Sequence, residues 1–89
     1  MNNYSIKYSD KALKQLKKLD KYVQHVIISW IEKNLVDCED PRRVGKGLTA
    51  NRSGQWRYRV GDYRILTEIR DEELIILVIE VGHRSKIYK

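Results

Sequence analysis

The residues best suited to chemistry lie in one short run, Trp56-Arg57-Tyr58-Arg59-Val60-Gly61-Asp62-Tyr63-Arg64. Side chains alternate between the two faces of a β-strand, so Arg57 and Arg59 are predicted to share the face opposite the aromatic residues. If Gly61-Asp62 is a two-residue hairpin turn, Val60 pairs with Tyr63 and Arg59 with Arg64. Three guanidinium groups then meet on one patch. Because the planar fork of arginine matches phosphate oxygens, the patch indicates an anionic, phosphate-bearing ligand.

The alternative is that these arginines only solvate the outer face of a sheet. Like charges opposite each other destabilise a sheet, which favours a ligand where three converge. Asp62 lies in the turn and Glu68 lies four residues beyond Arg64, so neither is expected to neutralise the patch. The next strand, Leu74–Val81, is apolar at consecutive positions, with Ile75, Leu77, Ile79 and Val81 on one face and Leu74, Ile76 and Val78 on the other. It should therefore be central, and the arginine face is predicted to be a partly covered groove.

The charge of the whole chain is concentrated around the same residues. Lys and Arg number 18 against 12 Asp and Glu, a net charge of +6. Residues 42–64 contain one acid, Asp62, and seven basic residues, which are Arg42, Arg43, Lys46, Arg52, Arg57, Arg59 and Arg64. This segment alone therefore carries +6, and the rest of the chain is neutral. Such a local excess favours an anionic partner over general solubility.

Length and composition exclude several classes of protein. The 89 residues predict a single domain, residues 1–89. The longest apolar run, Leu74–Ile79, is six residues, against the roughly 20 that a membrane span needs. With a polar N-terminus and no signal peptide, a cytoplasmic location is expected. The lone Cys38 and two distant histidines predict neither a disulfide nor a zinc site, and no cofactor is expected.

The periodicity of the first half predicts a strand and two helices. Tyr4–Tyr8 alternates apolar and polar residues, as a half-buried strand does. Ser9 and Asp10 are good N-caps for one helix, and Asp20 is a good N-cap for a second that ends near Leu35. The two helices are expected to form an antiparallel hairpin over one face of a sheet. Four aromatic residues are predicted to lie in the core: Tyr22, Trp30, Trp56 and Tyr58.

The second half predicts the sheet. Residues 42–55 follow the break at Pro41 and are predicted to be a loop with a short edge strand around Leu48. Strands are expected at Trp56–Val60, Tyr63–Ile69 and Leu74–Val81, with turns at Gly61-Asp62 and Arg70–Glu73. The predicted fold class is α+β, with an N-terminal strand, a two-helix hairpin and a mostly antiparallel sheet of three to four strands.

Two motifs together carry a resemblance to a known family. They are the run from Leu48 to Ile65, and Val81-Gly82-His83-Arg84 with a terminal Tyr88. In these motifs, in size and in the order of its elements, the chain resembles the RelE/ParE superfamily of bacterial toxins, and in particular its RelE branch. The resemblance implies a RelE-like fold and the toxin half of a type II toxin–antitoxin pair. It also implies a metal-independent endoribonuclease, an interferase that cuts mRNA in the ribosomal A site and inhibits translation.

The resemblance also implies partners and catalytic residues. The partners are a cognate RelB-like antitoxin, the ribosome and mRNA, with operator DNA bound only through the antitoxin and no membrane. The residues that match the family's catalytic positions are Arg57, Arg59, Arg64, Arg84 and Tyr88. The chain departs from the family motif in the loop, where a glycine and two apolar residues are replaced by Ala50, Arg52 and Gln55.

The predicted roles follow from the chemistry of metal-free RNA cleavage. The 2′-hydroxyl must lose a proton, the phosphoryl oxygens must be stabilised and the departing 5′-oxygen must gain a proton. The arginines can stabilise the phosphoryl oxygens, but a guanidinium is always protonated and cannot act as the base. Tyr88 is the candidate proton-transfer group, or else it stacks on an unpaired base. His83, the best intrinsic acid–base side chain in the chain, is either such a group or a solvated tail residue.

Several assignments have alternatives. Arg42, Arg43, Lys46 and Arg52 either hold ribosomal RNA or are solvated loop residues, and the lysine-rich first helix either is a solvated face or contacts the ribosome. With so few proton-transfer groups, the protein is expected to need the ribosome to orient the message. Two other functions stay open: a ParE-like toxin that inhibits DNA gyrase, and a non-catalytic, basic nucleic-acid-binding module.

Overall fold

The computed structural model describes residues 3–47 and 54–85, which form two helices and five strands. In chain order the elements are β1 (Ser5–Tyr8), α1 (Asp10–Lys18), α2 (Lys21–Asn34), β2 (Lys46–Gly47), β3 (Gln55–Val60), β4 (Tyr63–Arg70) and β5 (Ile75–His83). The strands form one sheet in the order β1-β5-β4-β3-β2. β1 runs parallel to β5, and every other pair is antiparallel. The predicted α+β class is confirmed, and the sheet has five strands because β1 joins it.

Both helices begin at the predicted caps. The Ser9 hydroxyl accepts a hydrogen bond from the Ala12 backbone N–H at 3.0 Å, and the Asp20 carboxylate accepts one from the Tyr22 N–H at 3.0 Å. These bonds satisfy N–H groups that a helix start leaves without intrahelical partners. α2 ends at its C-cap Leu35, as predicted. Neither helix of the described chain has the length and apolar character required to cross a membrane.

The hydrophobic core lies on one face of the sheet. Ala12 and Leu16 of α1 and Ile27 and Ile31 of α2 belong to a single buried cluster with inward-facing residues of β3, β4 and β5, and partly buried residues of β1 pack against it. Both helices therefore pack on the same side. No helix among the described residues covers the opposite side of the sheet, which is called the helix-free face below. The predicted core position of Tyr58 is confirmed, whereas that of Tyr22 was wrong, because its side chain in the first turn of α2 is 73% exposed.

The segment before β2 is held along the outer edge of β3. Tyr58 is fully buried, and its hydroxyl donates to the Pro41 carbonyl at 2.5 Å. The indole N–H of Trp56 donates to the Val44 carbonyl at 2.7 Å. Gly45 adopts φ +84°, and a Cβ there would meet the carbonyl of Arg57 and both aromatic side chains. The close approach therefore requires glycine. The edge strand begins just before the predicted position, and Leu48 itself lies outside the described residues.

The β5 strand contains a bulge that changes its pattern of burial. Leu66 of β4 pairs with Glu80, whereas Thr67 pairs with Val78, so Ile79 is an extra residue. The extra residue places Val81 on the helix-covered face with Ile76 and Val78. The prediction that Val81 shares a face with Ile75, Leu77 and Ile79 was therefore wrong. The prediction that this strand is internal is confirmed, because β5 lies between β1 and β4.

The start of α1 completes the edge of β5 where β1 ends. β1 pairs only with Ile75 to Val78. Beyond that point the Ser9 hydroxyl donates to the Ile79 carbonyl at 2.9 Å, and the Val81 N–H donates to Gln15 Oε1 at 2.7 Å. Side chains of one helix thus provide hydrogen bonds that a longer strand would have made, which holds the final residues of β5 in place.

Arg42 is an exposed loop residue that also joins three distant parts of the chain. Its guanidinium makes a bidentate ion pair with the Asp71 carboxylate in the β4–β5 turn, with N–O distances of 2.9 and 3.0 Å. The Tyr4 hydroxyl donates to the same carboxylate at 2.6 Å. The Arg42 guanidinium, with help from the Tyr4 hydroxyl, lowers the pKa of Asp71 below its ordinary value. The N-terminal strand, the loop after α2 and the turn are tied together in this way.

Removing the hydroxyl of Tyr58 is expected to destabilise the fold. In Tyr58→Phe the Pro41 carbonyl loses its donor inside the core, and a buried unsatisfied group of this kind costs about 1–3 kcal/mol. Denaturant unfolding measures the change. Tyr22→Phe is the matched control, because that side chain is exposed and should alter the free energy of unfolding by less than about 0.5 kcal/mol. Equal stability of the two variants would contradict the anchoring role of Tyr58.

The Arg42–Asp71 pair is expected to stabilise the fold in a pH-dependent way. Because the pKa of Asp71 is lowered in the folded state, the contribution is complete above the ordinary aspartate pKa, and it is lost as the pH falls through the lowered one. A double-mutant cycle of Arg42→Gln and Asp71→Asn should therefore show a favourable coupling at neutral pH that disappears in acid. A coupling that does not change with pH would show that the ion pair is not its source.

Candidate functional site

The β3–β4 hairpin brings three arginines to one end of the helix-free face. The predicted register is confirmed, with Val60 opposite Tyr63 and Arg59 opposite Arg64. Because Tyr58 and Val60 face the core, Arg57 and Arg59 must face the other way. Arg57 and Arg64 are half-buried and Arg59 is exposed. The three guanidinium groups therefore belong to one patch, as predicted from the alternation of the strand.

A pocket of about 320 Å³ opens beside these arginines, at the outer edge of β3 where β2 begins. One part of its wall consists of apolar or backbone surface from Trp30, Val44, Gly45 and Tyr58. The other part is cationic and comes from Lys46, Arg57, Arg59 and Arg64. The described lining residues include no carboxylate. A concave site with one sign of charge attracts anions more strongly than a flat surface does. The concave site lies at the edge of β3, whereas the groove was predicted for the whole arginine face.

Acidic residues on the sheet have partners elsewhere. Glu68 lies on the same face as Arg64 but pairs with Arg70 at 2.7 Å, toward the opposite end of β4. Glu80 pairs with Lys11 of α1 at 3.5 Å. The expectation that Glu68 does not neutralise the arginine patch is therefore confirmed.

Arg84 follows β5 at the same end of the sheet. Its backbone N–H donates to the Asp62 carbonyl in the β3–β4 turn at 2.8 Å. Gly82, two residues earlier, is the register partner of Arg64. Arg84 is therefore tied to the turn that joins Arg59 to Arg64, and its side chain is exposed. Tyr88, the fifth predicted site residue, lies outside the described residues.

His83 lies on the opposite side of the sheet from the arginines. It is the register partner of Tyr63, and the two rings meet edge to face with centroids 5.4 Å apart. Its Nδ1 accepts a hydrogen bond from the Ser85 backbone N–H at 3.2 Å. The ring lines a different pocket, of about 480 Å³, together with Gln15 and Leu19 from the α1 side. The structure therefore does not bring this histidine to the arginine patch.

Burial favours the neutral forms of two further titratable groups, Tyr58 and Cys38. Burial strongly raises the pKa of Tyr58, whose hydroxyl is already donating to Pro41. Burial also raises the pKa of the Cys38 thiol. Residues 3–47 and 54–85 contain no group of three or more His, Cys, Asp or Glu side chains that could hold a metal ion.

Trp30 is the wall residue that sequence reasoning placed elsewhere. It belongs to the apolar stripe of α2, which predicted a core position, but it is only half-buried. Its ring packs at 5.6 Å and 51° against Tyr58, which fixes one side of it. The sequence contains no signal for this position, because the approach of α2 to the edge of β3 is a tertiary contact. Val44 and Gly45 were likewise assigned only to a loop.

Comparison with known proteins gives consistent matches over nearly the whole chain. Residues 6–88 match the family model described as the ParE toxin of the type II toxin–antitoxin system parDE. The toxin RelG of Mycobacterium tuberculosis is 30% identical over 86 residues, which are 97% of each chain. A chain of the RelBE2 toxin–antitoxin complex from Mycobacterium tuberculosis superposes with a TM-score of 0.83 at 28% identity, covering 94% of both chains.

A more distant structure has the same fold. A chain of the intact Escherichia coli RelBE complex superposes with a TM-score of 0.71 at 23% identity, over 90% of this chain and 95% of that one. Since the family model and the RelG match both cover most of the sequence, the chain belongs to the ParE toxin family, and it is a toxin of the RelE/ParE superfamily of type II toxin–antitoxin systems.

Proposed function

We propose that this toxin is an endoribonuclease that cuts mRNA in the ribosomal A site and thereby inhibits translation. The observation that carries the proposal is the arrangement of Arg57, Arg59 and Arg64 on one face beside a pocket whose described walls contain no carboxylate. Arginine binds phosphate oxygens through two parallel hydrogen bonds. Unpaired RNA supplies both the phosphates and an internal nucleophile, so this ligand needs no nucleophile from the protein.

The proposed reaction is attack of a ribose 2′-oxygen on the adjacent phosphorus. The 2′-hydroxyl loses its proton to a base, the new O2′–P bond forms, and the P–O5′ bond breaks as the 5′-oxygen takes up a proton. The products are a 2′,3′-cyclic phosphate and a 5′-hydroxyl. Arg57, Arg59, Arg64 and Arg84 would stabilise the negative charge that builds up on the phosphoryl oxygens, and no metal ion is required.

Dependence on the ribosome follows from the shortage of proton-transfer groups. The arginines cannot accept the 2′-hydroxyl proton. Tyr88, which lies outside the described residues, is proposed as the proton-transfer group because His83 packs on the other side of the sheet. Positioning of the message in line for attack would then provide a large part of the rate enhancement. Strong cleavage of naked RNA by the pure protein would contradict this part of the proposal.

A cognate antitoxin of the RelB type is the proposed inhibitor. The similar structures from Mycobacterium tuberculosis and Escherichia coli are toxin–antitoxin complexes. Exposed apolar side chains on the helices, such as Leu13 and Val26, offer surface on which a flexible segment could fold. Binding of operator DNA by the complex, through the antitoxin, is proposed on the family resemblance alone.

Inhibition of DNA gyrase is the second candidate function, because the matching family model is the ParE toxin model. In that case the arginine patch would contact a protein or DNA without RNA cleavage. A gyrase supercoiling assay distinguishes the two. Loss of supercoiling activity at toxin concentrations that leave message intact would favour this candidate over the ribonuclease.

The decisive experiment is primer extension on a defined mRNA in a purified translation system, with matched lanes that lack ribosomes. New 5′ ends within the A-site codon, present only with ribosomes, are expected. Mass spectrometry of the upstream fragment should find a 2′,3′-cyclic phosphate. Arrested translation with intact message would instead indicate a non-catalytic ribosome-binding module, and normal translation with intact message would overturn the proposal.

Loss of one arginine in the patch is expected to reduce cleavage by about 100-fold or more, the usual cost of removing a group that stabilises transition-state charge. Arg64→Ala tests this in the primer-extension assay. Arg70→Ala is the matched control, because Arg70 lies on the same strand and face but at the other end, paired with Glu68. Both variants lose one positive charge, so equal losses of activity would show that net charge matters rather than the site.

The two candidate proton-transfer residues are expected to differ. Tyr88→Phe should lower the cleavage rate by about 100-fold, the scale of general acid–base catalysis, while ribosome binding changes little. His83→Gln should leave the rate within about threefold, because the ring lies on the helix-covered side. The measurement is single-turnover cleavage on programmed ribosomes. A large loss of cleavage rate in His83→Gln with little loss in Tyr88→Phe would assign proton transfer to His83.

A further inference from the structure

We infer that the pocket beside the arginine patch receives one RNA base, with Trp30 as its stacking wall, so that this toxin reads the identity of a nucleotide at the cleavage site. The inference rests on the proposed function, since it assigns a part of the substrate to the same site. It adds a binding role for a residue of α2, whereas the catalytic residues proposed above lie on the sheet and at the C-terminus.

The size of the pocket suits a single nucleotide. Its volume of about 320 Å³ lies at the lower end of the range of about 300–1,000 Å³ that small-molecule sites occupy. A helix or a folded segment of a partner would not enter it. The opening is at the outer edge of β3, where the two-residue strand β2 begins at Lys46 and Trp30 of α2 comes close to the sheet.

The pocket has a cationic wall and an aromatic wall, and a nucleotide has a phosphate and a base that suit them. Lys46, Arg59 and Arg64 provide the cationic part, which suits the phosphate. Trp30 and the peptide surface at Val44 and Gly45 provide the other part. Bases of unpaired RNA stack on aromatic side chains and form hydrogen bonds along their edges, so an aromatic ring beside peptide groups suits a base.

The stacking wall is held rigidly. Trp30 packs against Tyr58 at 5.6 Å, and Tyr58 is itself fixed by its hydrogen bond to the Pro41 carbonyl. The facing segment is fixed by the bond from the Trp56 indole to the Val44 carbonyl at 2.7 Å. Because both sides are positioned before the ligand arrives, little ordering of the protein opposes binding.

A base explains the half-exposed tryptophan better than an antitoxin side chain does. The cations would attract an acidic antitoxin residue, but such a residue would leave the exposed side of the Trp30 ring uncovered. A nucleotide places its phosphate and its flat apolar surface next to each other, at the spacing of a single residue. Binding of an antitoxin side chain in the pocket is therefore the alternative that the experiments below distinguish from binding of a base.

The first test measures binding to the free toxin. The probe is a 2′-O-methyl trinucleotide, which cannot be cut because its 2′-oxygens are blocked, and the control is the same molecule with an abasic middle residue. Saturable quenching of tryptophan fluorescence is expected with the full trinucleotide, and it should be absent in Trp30→Phe, where only Trp56 reports. The abasic control should bind at least about tenfold more weakly, as expected for loss of one stacked base. Equal affinity for both probes, or no binding at millimolar concentration, would overturn the inference.

The second test asks whether Trp30 affects the choice of codon. In the primer-extension assay Trp30→Leu should reduce cleavage by about tenfold and change the distribution of cut codons, whereas Trp30→Phe, which keeps a ring, should retain most of the activity and the pattern. Tyr22→Leu is the control for loss of an aromatic residue from the same helix, since its side chain is exposed. Thermal melting of each variant verifies that it is folded.

The outcomes separate this inference from the proposed function. Ribosome-dependent cleavage with an unchanged rate and codon pattern in folded Trp30→Leu would overturn the base pocket and leave the ribonuclease proposal standing. Quenching by the trinucleotide without cleavage in any lane would leave the base pocket standing and overturn the ribonuclease proposal. A Trp30→Leu toxin that escapes its antitoxin but cuts the same codons at the same rate would assign the pocket to the antitoxin and overturn the inference.

Discussion

The hydroxyl of Tyr58 donates to the Pro41 carbonyl inside the core, and the ring around it is fully buried against Trp30 of α2. This interaction decides which way β3 faces. Because Tyr58 faces the core, the alternation of side chains along a strand places Arg57 and Arg59 on the helix-free face. A shift of one residue would bury two guanidinium groups without water, at a cost far above the stability of a small domain.

The same alternation separates two sets of residues that the sequence places side by side. Arg64 and Tyr63 are neighbours in the chain, but they lie on opposite faces of β4, and so do their register partners Gly82 and His83. The arginine patch therefore has cationic and aromatic neighbours without a histidine. That composition suits binding of phosphate and stabilisation of charge, and it gives the tail residue Tyr88 the proton-transfer role in the proposed reaction.

The helices do more than cover the core. α1 provides Ser9 and Gln15 to the unpaired edge of β5, which keeps the end of that strand and the following Arg84 beside the β3–β4 turn. α2 provides Trp30 to the pocket at the other edge of the hairpin. Each edge of the site thus depends on a residue whose place in the sequence is far from the arginines, so the site is assembled from the whole chain.

The sequence by itself determined the elements and the arginine patch. Local signals were sufficient for these, because the caps at Ser9 and Asp20, the turn at Gly61-Asp62 and the period-two pattern of β3 act over a few residues. The sequence did not determine the bulge at Ile79, the side on which His83 lies, the Arg42–Asp71 pair or the pocket wall at Trp30. These depend on contacts between segments distant in the chain. Such contacts are decided only when the helices and strands pack together, because local periodicity contains no information about which distant residues will meet.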